Sequence, residues 1–186
     1  MPVKPEIRML AIDDGPLSDR VVLIGTIFRG ADWLEGVLRS EVTRDGMDAT
    51  EKMVTLAKES KHYDQLRAII LDGVTYAGFN VVDIVALNKQ TKLPIIVVMR
   101  SPPNFEEIKE ALANLDQWEE RWRAIQRAGK VFEAITHYGS IFIQVCGIDL
   151  PTAREIVHFT STHSRTPEPL RVAHLIASGV ATASKV

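Results

Sequence analysis

The order of strand-like and helix-like segments constrains this chain more than any other feature of its sequence. Three segments rich in apolar and β-branched residues come first, at 7–12, 20–28 and 33–42, and short connections with glycine join them. Strands spaced so closely form an antiparallel meander. Such a meander excludes an all-helical fold and a purely parallel sheet.

After residue 45 the pattern changes to alternating helices and strands. Asp48 and Glu51 have capping-box spacing at the start of a helical segment, and residues 67–71 and 93–99 are apolar runs of strand length. The other predicted elements are helices at 83 to about 90, 104 to about 127, 151–160 and 170 to about 178, and a last strand at 141–145. This order predicts an α/β fold with a mixed sheet, in which three antiparallel strands precede parallel ones and helices cover both faces.

Composition restricts the function. The 186 residues suit one domain, and 22 basic against 24 acidic side chains create no overall cationic field for nucleic acid. A single cysteine, Cys146, allows neither an internal disulfide nor a cysteine zinc site, so carboxylates and histidines would hold any metal, which favours Mg²⁺ or Mn²⁺. Apolar runs are too short to cross a membrane and the first residues are charged, so we expect a cytoplasmic protein that does not contact the membrane.

Acidic residues occur where predicted strands end. Asp13 or Asp14 closes the first strand, Asp72 closes the fourth, and Asp48 opens the helix between them. If the first and fourth strands are neighbours, these carboxylates can bind one or two divalent ions and activate water for attack on phosphorus. Each acid also has a structural explanation, because Asp-Gly sequences form turns and Asp48 can cap a helix.

Three basic side chains are further candidates. His174 and Arg171 lie on one polar stripe of the last helix, and Arg100 follows the strand that ends at residue 99. Arg100 and Arg171 can bind phosphate, although both can equally be ordinary surface arginines. Likewise, His174 can be a hydrogen-bonded surface histidine.

Five blocks together resemble endonuclease V, and more closely an uncharacterised, largely archaeal family regarded as endonuclease V-like. They lie at 11–13, 72–73, 93–101, 147–157 and 167–174. The last block, Pro-Glu-Pro-Leu-Arg-Val-Ala-His, is the most specific, and residues 72–83 are typical of the uncharacterised family. Because the blocks extend over nearly the whole chain, we expect one endonuclease V-like domain over residues 1–186.

The resemblance implies a ribonuclease H-like fold and a magnesium-dependent nuclease. It makes Asp13 and Asp72 metal-binding residues and His174 the histidine near the metal. Arg100 stands where endonuclease V has a lysine, and Asp48, with Glu51 second, lies nearest the glutamate that precedes the first helix in that family. The Pro-Tyr-Ile-Pro wedge of endonuclease V has no counterpart in residues 33–44, so base specificity does not follow.

The leading hypothesis is a divalent-metal-dependent nuclease or phosphodiesterase acting on DNA or RNA. An alternative is a catalytically inactive ribonuclease H-like module that binds nucleic acid or protein. A third reading, an actin-like ATPase or sugar kinase suggested by residues 10–15, requires two such domains. The predicted site contains Asp13, Asp48, Asp72 and His174 for catalysis, the three aspartates as metal ligands, Arg100 and Arg171 for substrate binding, and Asp14 and Glu51 as further candidates.

Overall fold

Residues 3–17 and 20–183 are described by a computed structural model, with the backbone alone for residues 182 and 183. The strands are β1 (Arg8–Pro16), β2 (Val21–Arg29), β3 (Trp33–Val42), β4 (Leu66–Asp72), β5 (Thr75–Tyr76), β6 (Asn80–Val81), β7 (Ile95–Met99), β8 (Phe132–Thr136) and β9 (Gly139–Cys146). The helices are α1 (Ala49–Lys58), α2 (Ile84–Thr91), α3 (Phe105–Leu112), α4 (Trp118–Arg127), α5 (Leu150–Thr160) and α6 (Glu168–Ala183), with a 3₁₀ turn at Tyr63–Gln65. None of these helices, within the ranges described, is long and apolar enough to cross a bilayer.

In the described part of the chain, seven strands form one sheet in the order β3-β2-β1-β4-β7-β9-β8. The first three strands pair antiparallel as predicted. Strands β1, β4 and β7 run parallel to one another, because α1 and α2 return the chain across the sheet. The first and fourth strands are therefore neighbours, which is the arrangement that the proposed grouping of acids requires.

Helices cover both faces of the sheet, which confirms the predicted α/β class. In β1, Leu10 and Ile12 join a core with α1 and α2, whereas Met9 and Ala11 join a core with α5. This alternation follows from the two-residue period of a strand, which directs successive side chains to opposite faces. Strand β1 therefore lies in the middle of the molecule, and its carboxyl end is supported from both sides.

Two predictions about strands differ from the structure. The first strand continues to Pro16 instead of ending at residue 12, because it pairs with β2 as far as Pro16 and Val21. The strand β8 was not predicted, and the last strand, predicted to run parallel at 141–145, is the longer β9 and runs antiparallel to both β7 and β8. A tight hairpin at Thr136–Gly139, with Gly139 at φ 112°, explains this direction, since no crossover helix separates β8 from β9.

The prediction of one long helix from residue 104 to about 127 is wrong. The chain leaves helical geometry after α3 and restarts at α4, with Gln117 in the left-handed region at φ 56°. The break lets Leu112 from α3 and Ala124 and Ile125 from α4 pack in one buried cluster. Apolar periodicity continues across the turn, so the sequence pattern did not reveal it.

Arg121 fixes the position of α4. Its side chain is buried and donates hydrogen bonds to the backbone carbonyls of Asp45, Gly46, Phe79 and Asp116. These carbonyls belong to the loop before α1, the β5–β6 hairpin and the turn before α4. One guanidinium therefore connects three separate segments through charge-assisted hydrogen bonds to their backbone carbonyls.

Candidate metal centre

The ends of β1 and β4 bring two aspartates to one face of the sheet. Pairing between these strands stops at Ile12 and Leu71, and Asp13 and Asp72 are the next residues on each strand. Asp72 is also the last residue of β4, as predicted. Two-residue alternation places Asp13 on the face of Ala11, which α5 and α6 cover, and places Asp72 on that same face.

Helix α6 carries His174 across this face. The hydroxyl of Thr26 on β2 donates to the Pro169 carbonyl at 2.6 Å and holds the first turn of the helix. Further along, Ala173 and Ala177 are fully buried against the sheet. Small side chains at these positions allow close approach, and they place His174 above the end of β1.

Gly15 lets β1 and α6 approach each other closely. A Cβ atom built on Gly15 would lie 2.6 Å from the carbonyl oxygen of Ala177, closer than such atoms can come. We expect Gly15→Ala to lower the free energy of unfolding by about 1–3 kcal/mol, because α6 must move. Denaturant unfolding measures this change.

Gly179 on the same helix is the matched control, since a Cβ atom there meets nothing within 4 Å. Gly179→Ala should stabilise α6 by about 0.5–1 kcal/mol through its helix propensity. Equal effects of the two substitutions would show that the contact between Gly15 and α6 is unimportant.

Asp13, Asp72 and His174 form a compact group. One potential ligand atom from each lies within 4.8 Å of the others. The Asp13 side chain is only 6% exposed, and its Oδ2 lies 2.8 Å from Nδ1 of His174, whose side chain is 48% exposed. The other oxygen, Oδ1, accepts a hydrogen bond of 2.8 Å from the Asp14 backbone N–H. The Asp13 carboxylate is thus held by the backbone of its own strand, while the imidazole of His174 is partly exposed to solvent.

The contact with Asp13 assigns roles to the two ring nitrogens. An ionised carboxylate only accepts hydrogen bonds, so Nδ1 of His174 is the donor in this pair. In the neutral ring, Nε2 is then the nitrogen with a free lone pair. This arrangement orients the ring and leaves Nε2 able to accept a proton from water.

Burial and mutual repulsion make the group electrostatically unfavourable without a cation. The pKa of Asp72 is raised to about 6, chiefly by burial and then by the negative charge of Asp13, whereas Arg100 and His174 act in the opposite direction. Burial also raises the pKa of Asp14, with a smaller contribution from Asp13. A divalent cation would relieve this repulsion, because it favours the ionised form of each carboxyl group.

The group lies at one wall of a cleft of about 540 Å³. Arg100 lines the cleft and acts on the pKa of Asp72, in agreement with its predicted place at the carboxyl edge of the sheet. The two carboxylates supply oxygen donors, which, with water to complete the shell, suit Mg²⁺ or Mn²⁺, and the imidazole offers one nitrogen beside them. The other walls are largely apolar and come from residues Val74, Met99, Pro103, Phe105, Ile108 and Ile125.

The structure does not bring Asp48 into this group. Its carboxylate accepts hydrogen bonds from the buried Asn80 side chain at 2.6 Å and from the Thr43 backbone and hydroxyl. Burial raises the pKa of Asp48, but these hydrogen bonds outweigh it and hold the pKa below its usual value. Asp48 stands at the N-cap position of α1, but its side chain makes no hydrogen bond to the first turn, so the predicted capping contact is absent.

The structure also shows where the three remaining predicted site residues lie and what they contact. Glu51 is exposed in the first turn of α1. Arg171 forms a two-pronged ion pair with Glu168, with both N–O distances 2.7 Å, so its guanidinium already has a partner. Asp14 lines the cleft, and its Oδ2 accepts a hydrogen bond of 2.7 Å from the Ala77 backbone.

Tyr76 is a residue of the site that the sequence argument missed. It is 1% exposed, and its hydroxyl donates to the Ile12 carbonyl at 3.1 Å, directly beside Asp13. The signal was its position within the block at 72–83 that is typical of the uncharacterised family. Nothing in the sequence showed that the hairpin folds back onto β1.

The mixed seven-stranded sheet with helices on both faces has the ribonuclease H-like fold of endonuclease V. The structure of human ENDOV aligns with a TM-score of 0.63 at 15% identity, covering 97% of this chain and 86% of that one. Endonuclease V from Ciona intestinalis, in complex with a 23mer DNA containing an inosine followed by a ribo-adenosine, aligns with a TM-score of 0.64 at 14% identity over 95% of this chain and 86% of that one. Such low identities show a shared fold and nothing more.

Other relatives share much more sequence identity with this chain than the endonuclease V structures do. The family model described as endonuclease dU matches residues 5–181, and the chain belongs to this family. A UPF0215 protein of Methanosarcina mazei is 56% identical over 181 residues, which cover 96% of this chain and 92% of the relative. A protein of unknown function from Archaeoglobus fulgidus has a solved structure with a TM-score of 0.87 at 36% identity, covering 94% and 98% of the two chains. The predicted archaeal, endonuclease V-like family is confirmed.

Proposed function

We propose that this protein is a divalent-metal-dependent endonuclease that hydrolyses phosphodiester bonds in nucleic acid. The observation that carries the proposal is the compact group of Asp13, Asp72 and His174 at one wall of an open cleft. The group lies at the carboxyl edge of parallel strands, where α/β proteins bind their ligands. Membership of the endonuclease dU family supports the same reaction class.

Each side chain has a role that its position supports. Asp13 and Asp72 would hold Mg²⁺ or Mn²⁺, and the bound ion would supply positive charge to offset the negative charge that builds on the phosphate. His174 accepts a proton from the attacking water through Nε2, while Nδ1 stays bonded to Asp13. Arg100 lines the same cleft and neutralises charge on a phosphate oxygen. The water oxygen bonds to phosphorus as the bond to the leaving ester oxygen breaks, and the leaving oxygen takes up a proton from solvent in the open cleft.

Cleavage assays with purified protein test this proposal. The substrates are single-stranded and duplex DNA and RNA, unmodified or containing inosine or deoxyuridine, with Mg²⁺, Mn²⁺ or EDTA. The family description names dU, and the Ciona relative was solved with inosine-containing DNA, so both bases belong in the panel. We expect cleavage that requires the metal. No cleavage of any substrate would contradict the proposal.

His174→Gln separates proton transfer from metal binding. We expect the cleavage rate to fall about 100-fold, because the variant lacks a group that can accept a proton. Affinity for Mn²⁺, measured by calorimetric titration, should stay within a few-fold of wild type, since both carboxylates remain. Loss of Mn²⁺ binding in this variant would instead make His174 a metal ligand.

A second candidate function is a binding module without catalysis. The position of Asp48 favours it, because this acid is bonded to Thr43 and Asn80 and leaves two carboxylates in the group. Titration with Mg²⁺ distinguishes the two functions. A module without a metal site gives no heat that depends on Asp72, whereas the nuclease binds the ion and loses that binding in Asp72→Asn.

A further inference from the structure

Tyr76 lies where β1 and β4 separate. The parallel pairing of these strands ends at Ile12 and Leu71, and beyond it the backbones carry Asp13 and Asp72. The Tyr76 hydroxyl donates to the carbonyl of Ile12, the group in the peptide bond that leads into Asp13. The phenol thus occupies the position at which the ladder between the two strands stops.

The same phenol belongs to the segment that continues the second strand, because β4 ends at Asp72 and β5 ends at Tyr76. Burial raises the pKa of Tyr76 well above its ordinary value. The hydroxyl therefore keeps its proton and, through its bond to Ile12, connects the continuation of β4 to the end of β1. A phenylalanine would fill the same space without this contact.

The hairpin that carries Tyr76 is itself firmly attached. The backbone N–H of Ala77 donates to Asp14 at 2.7 Å, and that of Phe79 donates to Asp45 at 2.8 Å. The Phe79 carbonyl accepts from Arg121. These bonds fix the hairpin to neighbouring segments, and they thereby fix the position of the Tyr76 ring.

We infer that Tyr76 is a positioning residue whose hydroxyl holds the ends of β1 and β4 at the spacing at which Asp13 and Asp72 share one divalent ion. The inference deepens the proposed function and rests on it. Groups that orient metal ligands without touching the metal commonly change metal affinity by 10–100-fold when they are removed. Tyr76 acts on the backbone of the ligands, so we expect an effect near the lower end of that range.

The test compares Tyr76→Phe with Tyr63→Phe by calorimetric titration with Mn²⁺. Tyr63 is the matched control, because its hydroxyl also donates to a backbone carbonyl, that of Thr91 at 2.7 Å, and it does not line the acidic cleft. We expect about tenfold weaker Mn²⁺ binding in Tyr76→Phe and wild-type binding in Tyr63→Phe. Unfolding in denaturant, measured on both variants, shows whether their losses of stability are similar.

A rescue variant separates positioning from packing. Replacement of Tyr76 by 4-aminophenylalanine keeps a donor at the same place, and Mn²⁺ affinity should return to within about threefold of wild type. Wild-type affinity in Tyr76→Phe, or no recovery with the amino variant, would overturn the inference while leaving the metal centre intact. Absence of Mn²⁺ binding by the wild-type protein would overturn the proposed function itself.

Discussion

Asp13→Asn and Asp72→Asn should each reduce metal-dependent cleavage by on the order of 10³-fold or more. A neutral amide lacks the charge that holds a divalent ion, and losing several kcal/mol of transition-state stabilisation gives a decrease of this size. Both residues belong to the same compact group with His174. Cleavage rates under single-turnover conditions, measured with each metal, check the prediction.

Asp64→Asn is the control for this pair. Asp64 is exposed in the 3₁₀ turn before β4, at the opposite end of that strand from Asp72. The Asp64→Asn variant should cleave at the same rate as the wild type. If Asp13→Asn and Asp72→Asn cleaved as fast as this control, the reaction would not use the acidic group.

Asp72→Asn should also make the metal-free protein more stable at neutral pH. In the folded state the pKa of Asp72 is raised from 3.8 to about 6, mainly by burial and then by Asp13. An increase of this size corresponds to about 3 kcal/mol of unfolding free energy. Because the folded state holds its proton more tightly than the unfolded chain, the wild type loses this stability as pH rises from about 4 through about 6.

Denaturant unfolding in the presence of EDTA at two pH values tests the predicted loss of wild-type stability with rising pH. At pH 7.5 the variant should be more stable than wild type by about 3 kcal/mol, and below pH 4 the difference should disappear. Added Mg²⁺ should stabilise the wild type and leave the variant unchanged, since ligands that bind the folded state raise its stability. A stability difference that is the same at both pH values would contradict the raised pKa.

The parts of the site that the sequence predicted are those set by strand order. Asp72 closes β4, and Asp13 stands one residue beyond the last pair of β1 with β4, so parallel neighbours were enough to bring them together. His174 followed from the resemblance, since helical spacing alone favoured an ordinary surface histidine. In these cases the relevant geometry is local, or it is fixed by the two-residue period of a strand.

The parts that were missed depend either on contacts between distant segments or on local pairings that the sequence pattern does not show. Asp48 is bonded to Asn80, which lies 32 residues away, and no local pattern separates that role from capping or metal binding. Arg171 was predicted as a substrate-binding residue on a polar stripe, and its guanidinium is paired with Glu168 on the same helix. The turn that ends α3 at Leu112 was hidden because apolar periodicity continues through it.

The hydrogen bonds around Arg121 have a consequence for how a ligand would be received. They join residues up to 76 positions apart and connect the hairpin beside the acids to the helix whose Ile125 lines the cleft. Two sides of the cleft are thereby fastened to each other before any ligand arrives. Binding there would require little ordering of the chain, so association should lose little conformational entropy on the protein side.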